Sequence, residues 1–141
     1  MKPLRKMLGR AMTLAPHARA LGLKFEAMEP GRGRMSVAWR DDLVADPESL
    51  VIASGVVTAL LDHCCGLAVN ATGEISFPIA TLDLRIDYMR PAAPKTGVTA
   101  EAHCYKLTRS IAFVRAEAWD VDRNDLVATA QAAFILNRGQ G

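Results

Sequence analysis

Residues 49–69 read SLVIASGVVTALLDHCCGLAV and predict a long helix that is apolar on nearly every face. At 3.6 residues per turn, its large side chains spread around most of the circumference: Val56, Val57, Leu60, Leu61, Cys64 and Leu67. A helix that is hydrophobic all round is buried. The Ser, Thr and Asp interruptions make it a poor membrane span, which needs about 20 mainly apolar residues. The segment is therefore predicted to be the core helix of a soluble domain.

One narrow stripe of this helix is small or polar. Ser54, Thr58, Asp62 and Gly66 recur every four residues, and residues at this spacing share a face. Burying Asp62 costs the most free energy in this stripe, because a charge in an apolar medium must be paired, hydrogen-bonded or neutralised. Two interpretations stay open: a structural Asp held by Thr58 or by a partner subunit, or a working acid or base.

The composition suits one globular domain and argues against nucleic-acid binding. The chain has 141 residues, of which 50% are hydrophobic and 23% charged, which is ordinary for a folded protein. A net charge of +2 gives no electrostatic argument for a nucleic-acid partner. An aromatic content of 6% is too low to predict stacking platforms for single strands.

The cysteines and the N-terminus predict a cytoplasmic protein. Cys64, Cys65 and Cys104 are odd in number and two are adjacent, so they make no disulfide framework and favour a reducing compartment. They are interpreted as buried thiols that act as small hydrophobes. Residues 1–15 are basic but lack the continuous apolar region of a signal peptide. No membrane attachment is predicted.

The histidines indicate neither a metal site nor a dyad. His17, His63 and His103 lack metal-ligand spacing, so no metal is predicted, and the sequence implies no organic cofactor either. His63 directly follows Asp62 and points about 100 degrees away around the helix, which argues against an acid–histidine pair.

The rest of the chain divides into a short leader, one domain and a tail. Residues 1–19 form the leader, with a basic amphipathic helix predicted at 3–14 and Pro16 and Gly22 marking its exit. Residues 20–137 form the domain, and residues 138–141 the tail. Glu48 or Ser49 is predicted to cap the core helix, which should fade at 70–73.

Six segments have the alternation or the turn boundaries of strands: 23–29, 33–40, 79–88, 97–107, 111–121 and 126–136. In 79–88, Leu82, Leu84, Ile86 and Tyr88 share one face and Thr81 lies on the other. Segregated helix and strands indicate an α+β fold with an antiparallel sheet. A sheet of five or six strands wrapped around the core helix would enclose it.

Two motifs in this order resemble the hotdog-fold acyl-CoA thioesterases, in the branch of the phenylacetate-pathway and 4-hydroxybenzoyl-CoA enzymes. The first is SGVVTALLD at 54–62, followed by Gly66-Leu67-Ala68. The second is TLDLRIDYMRPA at 81–92. The resemblance covers residues 20–136 and implies a hotdog fold.

The resemblance implies a catalytic role for several residues. Asp62 falls where these enzymes place a general base or nucleophile on the helix. The amides of Ser54 and Gly55 fall where the helix start polarises the thioester carbonyl, and free N–H groups there favour developing negative charge. Thr81 falls where a Ser or Thr positions the attacking water.

The same resemblance implies substrate contacts and an oligomer. The candidate substrate contacts are Thr58, and Arg90 and Arg109 for the phosphates of CoA. Sites of this family lie between subunits, so a homodimer or homotetramer is expected. The acyl-CoA substrate would be small or medium in size.

The start of the helix keeps a second function open. Many relatives have His-Gly-Gly where this chain has Ala53-Ser54-Gly55. This difference suits a non-catalytic acyl-thioester binding or assembly protein that kept the fold. A weaker alternative is an enoyl-thioester hydratase, an enzyme class that pairs a His with an Asp.

Overall fold

A computed structural model of the chain describes residues 15–74 and 78–137. The predicted helix at 3–14 and the tail at 138–141 lie outside the described residues. In chain order the elements are α1 (Pro16–Leu21), β1 (Leu23–Glu29), β2 (Arg32–Val37), a 3-10 turn (Asp41–Leu43), α2 (Ser54–Asn70), β3 (Ile79–Tyr88), β4 (Val98–Leu107), β5 (Ile111–Trp119) and β6 (Ala128–Leu136).

The six strands form one sheet in the order β1-β2-β4-β5-β6-β3, and every neighbouring pair is antiparallel. Helix α2 contacts all six strands, and most of its residues are buried. The predicted α+β architecture, an antiparallel sheet around a long apolar helix, is confirmed.

Small side chains bring α2 close to the sheet. On the face toward α2, the three strands β4, β5 and β6 carry a layer of buried alanines: Ala100, Ala102, Ala112, Ala116, Ala118, Ala128, Ala130 and Ala132. Side chains at alternate strand positions share a face, so these methyl groups form one continuous floor beneath the helix. The larger side chains of α2 are buried as well, including Leu60 and Leu67, and Leu67 packs against Gly33 of β2.

Helix α2 begins later than predicted. Its N-cap is Ala53, with φ −61° and ψ 141°, and not Glu48 or Ser49. Long-range contacts hold the preceding segment out of the helix: the carbonyl of Leu50 accepts from Trp39 Nε1 at 2.8 Å and from the Lys95 amide at 2.9 Å. Leu50 itself has a left-handed φ of 57°. Apolar composition alone could not show these contacts.

Pro16 and Gly22, expected to mark the exit of the helix predicted at 3–14, bound a short helix in the described part of the chain. Pro16 opens helix α1 at a position that proline favours, and Gly22 ends it with a left-handed φ of 74°. Both residues therefore bound the short helix α1, and the exit of the segment at 3–14 stays a prediction.

A bulge in β3 changes which residues face α2. The pairing with β6 shifts between Thr81 and Asp83, so one extra residue enters the strand there. The predicted shared face of Leu82 and Leu84 is wrong, since the Leu82 side chain is 58% exposed. The shift turns Thr81 to the side of α2, where the regular alternation would have pointed it away.

The apolar interior keeps its thiols protonated. Burial raises the pKa of Cys64 to about 12 and that of Cys65 well above its ordinary value. Both act as small hydrophobes, as expected. Among the described residues, no helix is long and apolar enough to cross a membrane.

Gly97 allows the close approach of two backbone segments, and Gly97→Ala is expected to destabilise the fold. A Cβ there would lie 2.5 Å from the carbonyl oxygen of Val37, a backbone atom with little freedom to move. Such overpacking costs about 1–3 kcal/mol of unfolding free energy. Gly55→Ala is the control, because a Cβ at Gly55 meets nothing within 4 Å. Chemical denaturation should show a lower midpoint only for Gly97→Ala, and equal midpoints would contradict the steric argument.

Candidate active site

Asp62 lies in the middle of α2 and is held by a side chain of β3. The Thr81 hydroxyl donates a hydrogen bond to Asp62 Oδ1 at 2.7 Å, and the carboxylate is half-buried. The β3 bulge makes this contact possible because it turns Thr81 toward the helix. A carboxylate has about four acceptor positions, so the group keeps capacity for a further ligand. Such an anchored acid can take a proton from water or attack a carbonyl.

The first turn of α2 presents free backbone amides to solvent. The N-cap residue Ala53 makes no side-chain capping bond, and both Ser54 and Gly55 are exposed. The first N–H groups of a helix lack intrahelical acceptors and carry partial positive charge. The helix start can therefore stabilise an anion.

Tyr88, to which sequence reasoning gave no role, fastens this turn to the end of β3. Its hydroxyl donates to the carbonyl of Ser54 at 3.1 Å and contacts the Thr58 hydroxyl. Thr58 also donates to the Ser54 carbonyl, at 3.0 Å. The alternative in which Thr58 holds Asp62 is wrong, because Thr58 bonds here and Asp62 bonds Thr81. The predicted alternation of β3 did place Tyr88 on the α2 side.

An apolar groove of about 640 Å³ opens beside the same turn. Its walls come from the segment before α2, from Val57 and from the chain that follows β3, including Met89, Pro91 and Ala92. Ser54, Tyr88 and Arg90 supply polar groups at its border. The groove has the size and composition of a site for an apolar small-molecule segment.

The structure does not bring all predicted catalytic groups together within one chain. Asp62 follows Ser54 by eight residues, which is about 12 Å along a helix at 1.5 Å per residue. Reacting atoms must approach to about 3–3.5 Å. Asp62 with Thr81, and Ser54 with Gly55 and Thr58, therefore form two separate half-sites on one copy.

Arg90 is engaged in an ion-pair network rather than open to solvent. Its Nη2 lies 2.6 Å from Asp120 Oδ1, and its Nε lies 3.1 Å from Asp125 Oδ1. The Asp120 side chain is 3% exposed and also accepts the backbone N–H groups of Ala93 and Val121. The phosphate role of Arg90 stays a prediction, and a phosphate would have to replace these acceptors.

Arg109 lies at the far end of the sheet from Arg90. It belongs to the β4–β5 turn, whose Ser110 carbonyl accepts from Leu136 at the end of β6. Arg90 follows the opposite end of β3, where Tyr88 pairs with Ala128. One bound nucleotide cannot contact both arginines of the same copy, and the role of Arg109 also stays a prediction.

The His63 ring points away from Thr81, the hydrogen-bond partner of Asp62. Its ring lies 6.3 Å from that of His17 on α1, centroid to centroid. Burial lowers the pKa of His63, and the Asp62 carboxylate opposes that shift. The ring packs between the two helices, as its direction on α2 predicts.

The Asp120 carboxylate is expected to make stability depend on pH. The Arg90 guanidinium holds the pKa of Asp120 well below its ordinary value, against the effect of burial. A depressed folded pKa stabilises the fold above the unfolded value near 3.9, and this contribution is lost as pH falls through the folded pKa. Asp120→Asn should lower the free energy of unfolding by about 2 kcal/mol at neutral pH. The difference should shrink below about pH 4.

Denaturation of both proteins across pH checks this, with Asp83→Asn as the control for an exposed carboxylate of β3. Surface substitutions of this kind stay within about 0.5 kcal/mol. A difference between wild type and Asp120→Asn that is independent of pH would contradict the proposed charge interaction.

Comparisons with known proteins agree with this architecture. The family model described as thioesterase superfamily matches residues 51–127. A solved Pseudomonas aeruginosa protein is 32% identical, with a TM-score of 0.84 over 94% of this chain and 98% of its own. A point mutant of the phenylacetic acid degradation protein PaaI from Thermus thermophilus is 31% identical, with a TM-score of 0.73 over 85% and 97% of the two chains.

The PaaI protein of the E. coli phenylacetic acid degradation operon shares the fold, with a TM-score of 0.82, 18% identity, and coverage of 96% and 95%. No curated protein sequence matches this chain significantly.

Proposed function

Because the chain belongs to the thioesterase superfamily, we propose that it hydrolyses the thioester bond of a small or medium acyl-CoA at a site shared by two copies. The observation that carries the proposal is the Asp62 carboxylate on the mostly buried core helix, held at 2.7 Å by the Thr81 hydroxyl. One hydrogen bond fixes this carboxylate and leaves acceptor positions for a water molecule or a substrate.

The proposed reaction uses both half-sites. Asp62 takes a proton from a water molecule that Thr81 helps to orient, and the water oxygen bonds to the thioester carbon. The carbonyl oxygen becomes an oxyanion, which the amides of Ser54 and Gly55 stabilise. The carbon–sulfur bond then breaks, and the CoA thiolate receives the proton from Asp62. Direct attack by Asp62, followed by hydrolysis of the anhydride, uses the same groups.

The distance between the half-sites supports a site that two copies share. Since Ser54 and Asp62 of one chain lie about 12 Å apart along α2, the amides that meet a given Asp62 must come from another chain. A two-fold axis perpendicular to α2 makes the two helices antiparallel, and each helix start can then face the middle of the other helix. Strand β3 is an edge strand of ten residues, and pairing two such edges removes the exposed backbone groups.

The apolar groove gives the proposal a place for the substrate. Ser54 and Tyr88 are among the residues that line its volume of about 640 Å³. A pocket of this kind buries an acyl chain or the pantetheine arm, while the few polar groups at its border set the orientation.

Release of free thiol from a panel of acyl-CoAs tests the function. Turnover by the wild-type protein is the expected result, with a preference for acyl groups that the groove can hold. Calorimetry on the same panel measures binding separately. Binding without thiol release would replace hydrolysis by the second candidate, a non-catalytic acyl-thioester binding protein, which the Ala53-Ser54-Gly55 helix start favours.

A further inference from the structure

The end of strand β3 reaches the first turn of α2 through one side chain, that of Tyr88. Tyr88 is the last residue of β3 and pairs with Ala128 of β6. The two residues that follow are held in the same way, because the amides of Met89 and Arg90 donate to the carbonyl of Val127, at 2.8 and 3.4 Å. The backbone position of Tyr88 is therefore set by the sheet and not by the helix that its side chain contacts.

The hydroxyls of Tyr88 and Thr58 meet at one backbone carbonyl, that of Ser54. Tyr88 Oη lies 3.1 Å and Thr58 Oγ1 lies 3.0 Å from the Ser54 oxygen, and the two hydroxyls also contact each other. Ser54 is the first residue of α2. A single carbonyl at the helix start is thus the acceptor for two side chains, one from the helix itself and one from the sheet.

The peptide unit that carries this carbonyl also carries the amide of Gly55. A trans peptide unit is planar, and its C=O and N–H bonds point in opposite directions. A hydroxyl that fixes the direction of the Ser54 carbonyl therefore fixes the direction of the Gly55 N–H as well. Hydrogen bonds in series also polarise one another. A donor at the carbonyl thus makes the N–H of the same unit a stronger donor.

The Gly55 amide lies where a ligand can approach it. Gly55 is exposed, and a Cβ there would meet nothing within 4 Å. The next two amides of α2 donate to the Ala53 carbonyl, at 3.0 and 3.5 Å, so those of Ser54 and Gly55 are the outermost donors of the helix. Ser54 and Tyr88 both line the apolar groove. A molecule in this groove can therefore reach the Ser54–Gly55 peptide unit.

We infer that Tyr88 is a positioning residue of the oxyanion site: its hydroxyl holds the Ser54 carbonyl and thereby orients the Gly55 amide. The inference rests on the proposed hydrolysis, to which it adds a residue that acts through the backbone and need not touch the thioester. Donors that are already in place when negative charge develops stabilise it most, because they do not reorganise during the reaction. The tyrosine ring has a separate role as a wall of the groove.

Tyr88→Phe tests the inference because it removes the hydroxyl and keeps the ring. We expect kcat for thiol release from acyl-CoA to fall by about 10-fold, which corresponds to the loss of one hydrogen bond. KM should stay within about 2-fold of the wild-type value, since the groove keeps its wall. An unchanged kcat, or a rise in KM alone, would overturn the inference.

Tyr105→Phe is the matched control. Tyr105 is 41% exposed and Tyr88 47%, but Tyr105 lies on β4, so its variant should turn over at the wild-type rate. The pH dependence of kcat then separates positioning from proton transfer. Loss of the hydroxyl should lower the whole profile and leave its shape unchanged. If Tyr88→Phe removed the limb at high pH, Tyr88 would exchange a proton with the substrate and the positioning role would be wrong.

Nuclear magnetic resonance of protein with isotope-labelled glycine tests the orientation without turnover. The chain has 10 glycines, and Gly55→Ala identifies the Gly55 signal by its loss. The nitrogen shift of an amide responds to hydrogen bonding at the carbonyl of its own peptide unit. Tyr88→Phe should therefore move the Gly55 signal and leave that of Gly97 in place, and an unmoved Gly55 signal would overturn the inference. A wild-type protein that releases no thiol would overturn the hydrolysis, whereas the Gly55 signal decides the role of Tyr88 in either case.

Discussion

Replacing Asp62 by Asn is expected to lower kcat for acyl-CoA hydrolysis by about 1000-fold, because the amide can neither accept a proton from water nor attack the carbonyl. Asn has nearly the shape of Asp and keeps an oxygen that can accept the Thr81 hydrogen bond, now 2.7 Å long. The fold and the groove should therefore remain, and KM should change little. Thiol release at saturating and at low acyl-CoA separates kcat from KM.

Asp83→Asn is the matched control, since it removes a carboxylate from the same strand that holds Thr81. Asp83 follows the bulge and is exposed, so its variant should turn over at the wild-type rate. Equal rates for wild type and Asp62→Asn would show that Asp62 takes no part in the reaction, and the proposed mechanism would be wrong.

The second large effect is expected from Ser54→Pro, which deletes one backbone N–H at the start of α2. Proline is favoured at the first helical position, where its nitrogen has no intrahelical acceptor to lose. Ala53 has φ −61° and ψ 141°, the extended conformation that a residue before proline requires. The helix should therefore form, while loss of one oxyanion donor typically costs about 100–1000-fold in kcat.

Ser54→Ala is the control because it removes the hydroxyl and keeps the amide. The Ser54 carbonyl, which accepts from Tyr88 and Thr58, is present in all three proteins. Circular dichroism should give equal helix content for both variants. If Ser54→Ala lost as much activity as Ser54→Pro, the hydroxyl and not the amide would be the important group.

Mixing the two inactive variants tests whether the site is shared. In a pair of one Asp62→Asn copy and one Ser54→Pro copy, one site has both defects and the other has neither. Unfolding and refolding the proteins together should restore about a quarter of the wild-type activity, since half of randomly formed pairs are mixed and each has one intact site. Restoration is excluded if Asp62 acts with the amides of its own chain.

The sequence predicts the elements of this fold better than their ends. The type of α2 follows from its apolar surface, and the six strands follow from alternation and turns. The start of α2 does not follow from the sequence, because Trp39 and Lys95, which are distant in the chain, donate hydrogen bonds to the Leu50 carbonyl. Pro16 and Gly22 have the positions typical of the start and the end of a helix. The segment between them is only one or two turns long, so it shows no periodicity from which a helix could be predicted.

The candidate site was predicted residue by residue but not as an arrangement. Asp62 stands out because a charge is costly in an apolar helix, and this argument needs no coordinates. The contact with Thr81 depends on the β3 bulge, which alternation cannot reveal. The partners of Arg90 lie 30 and 35 residues further along the chain, so the sequence could not distinguish an ion-paired arginine from one open to phosphate.

The alanine floor beneath α2 makes the contact between Asp62 and Thr81 depend on the whole sheet. The size of these side chains determines the distance between α2 and the sheet. That distance in turn determines whether the short Thr81 side chain can reach the Asp62 carboxylate. A larger side chain at one position of the layer would move α2 away from the sheet and break the hydrogen bond between Thr81 and Asp62. A substitution in the alanine floor can therefore change the distance between Asp62 and Thr81 at the edge strand β3, although neither of these two residues is altered.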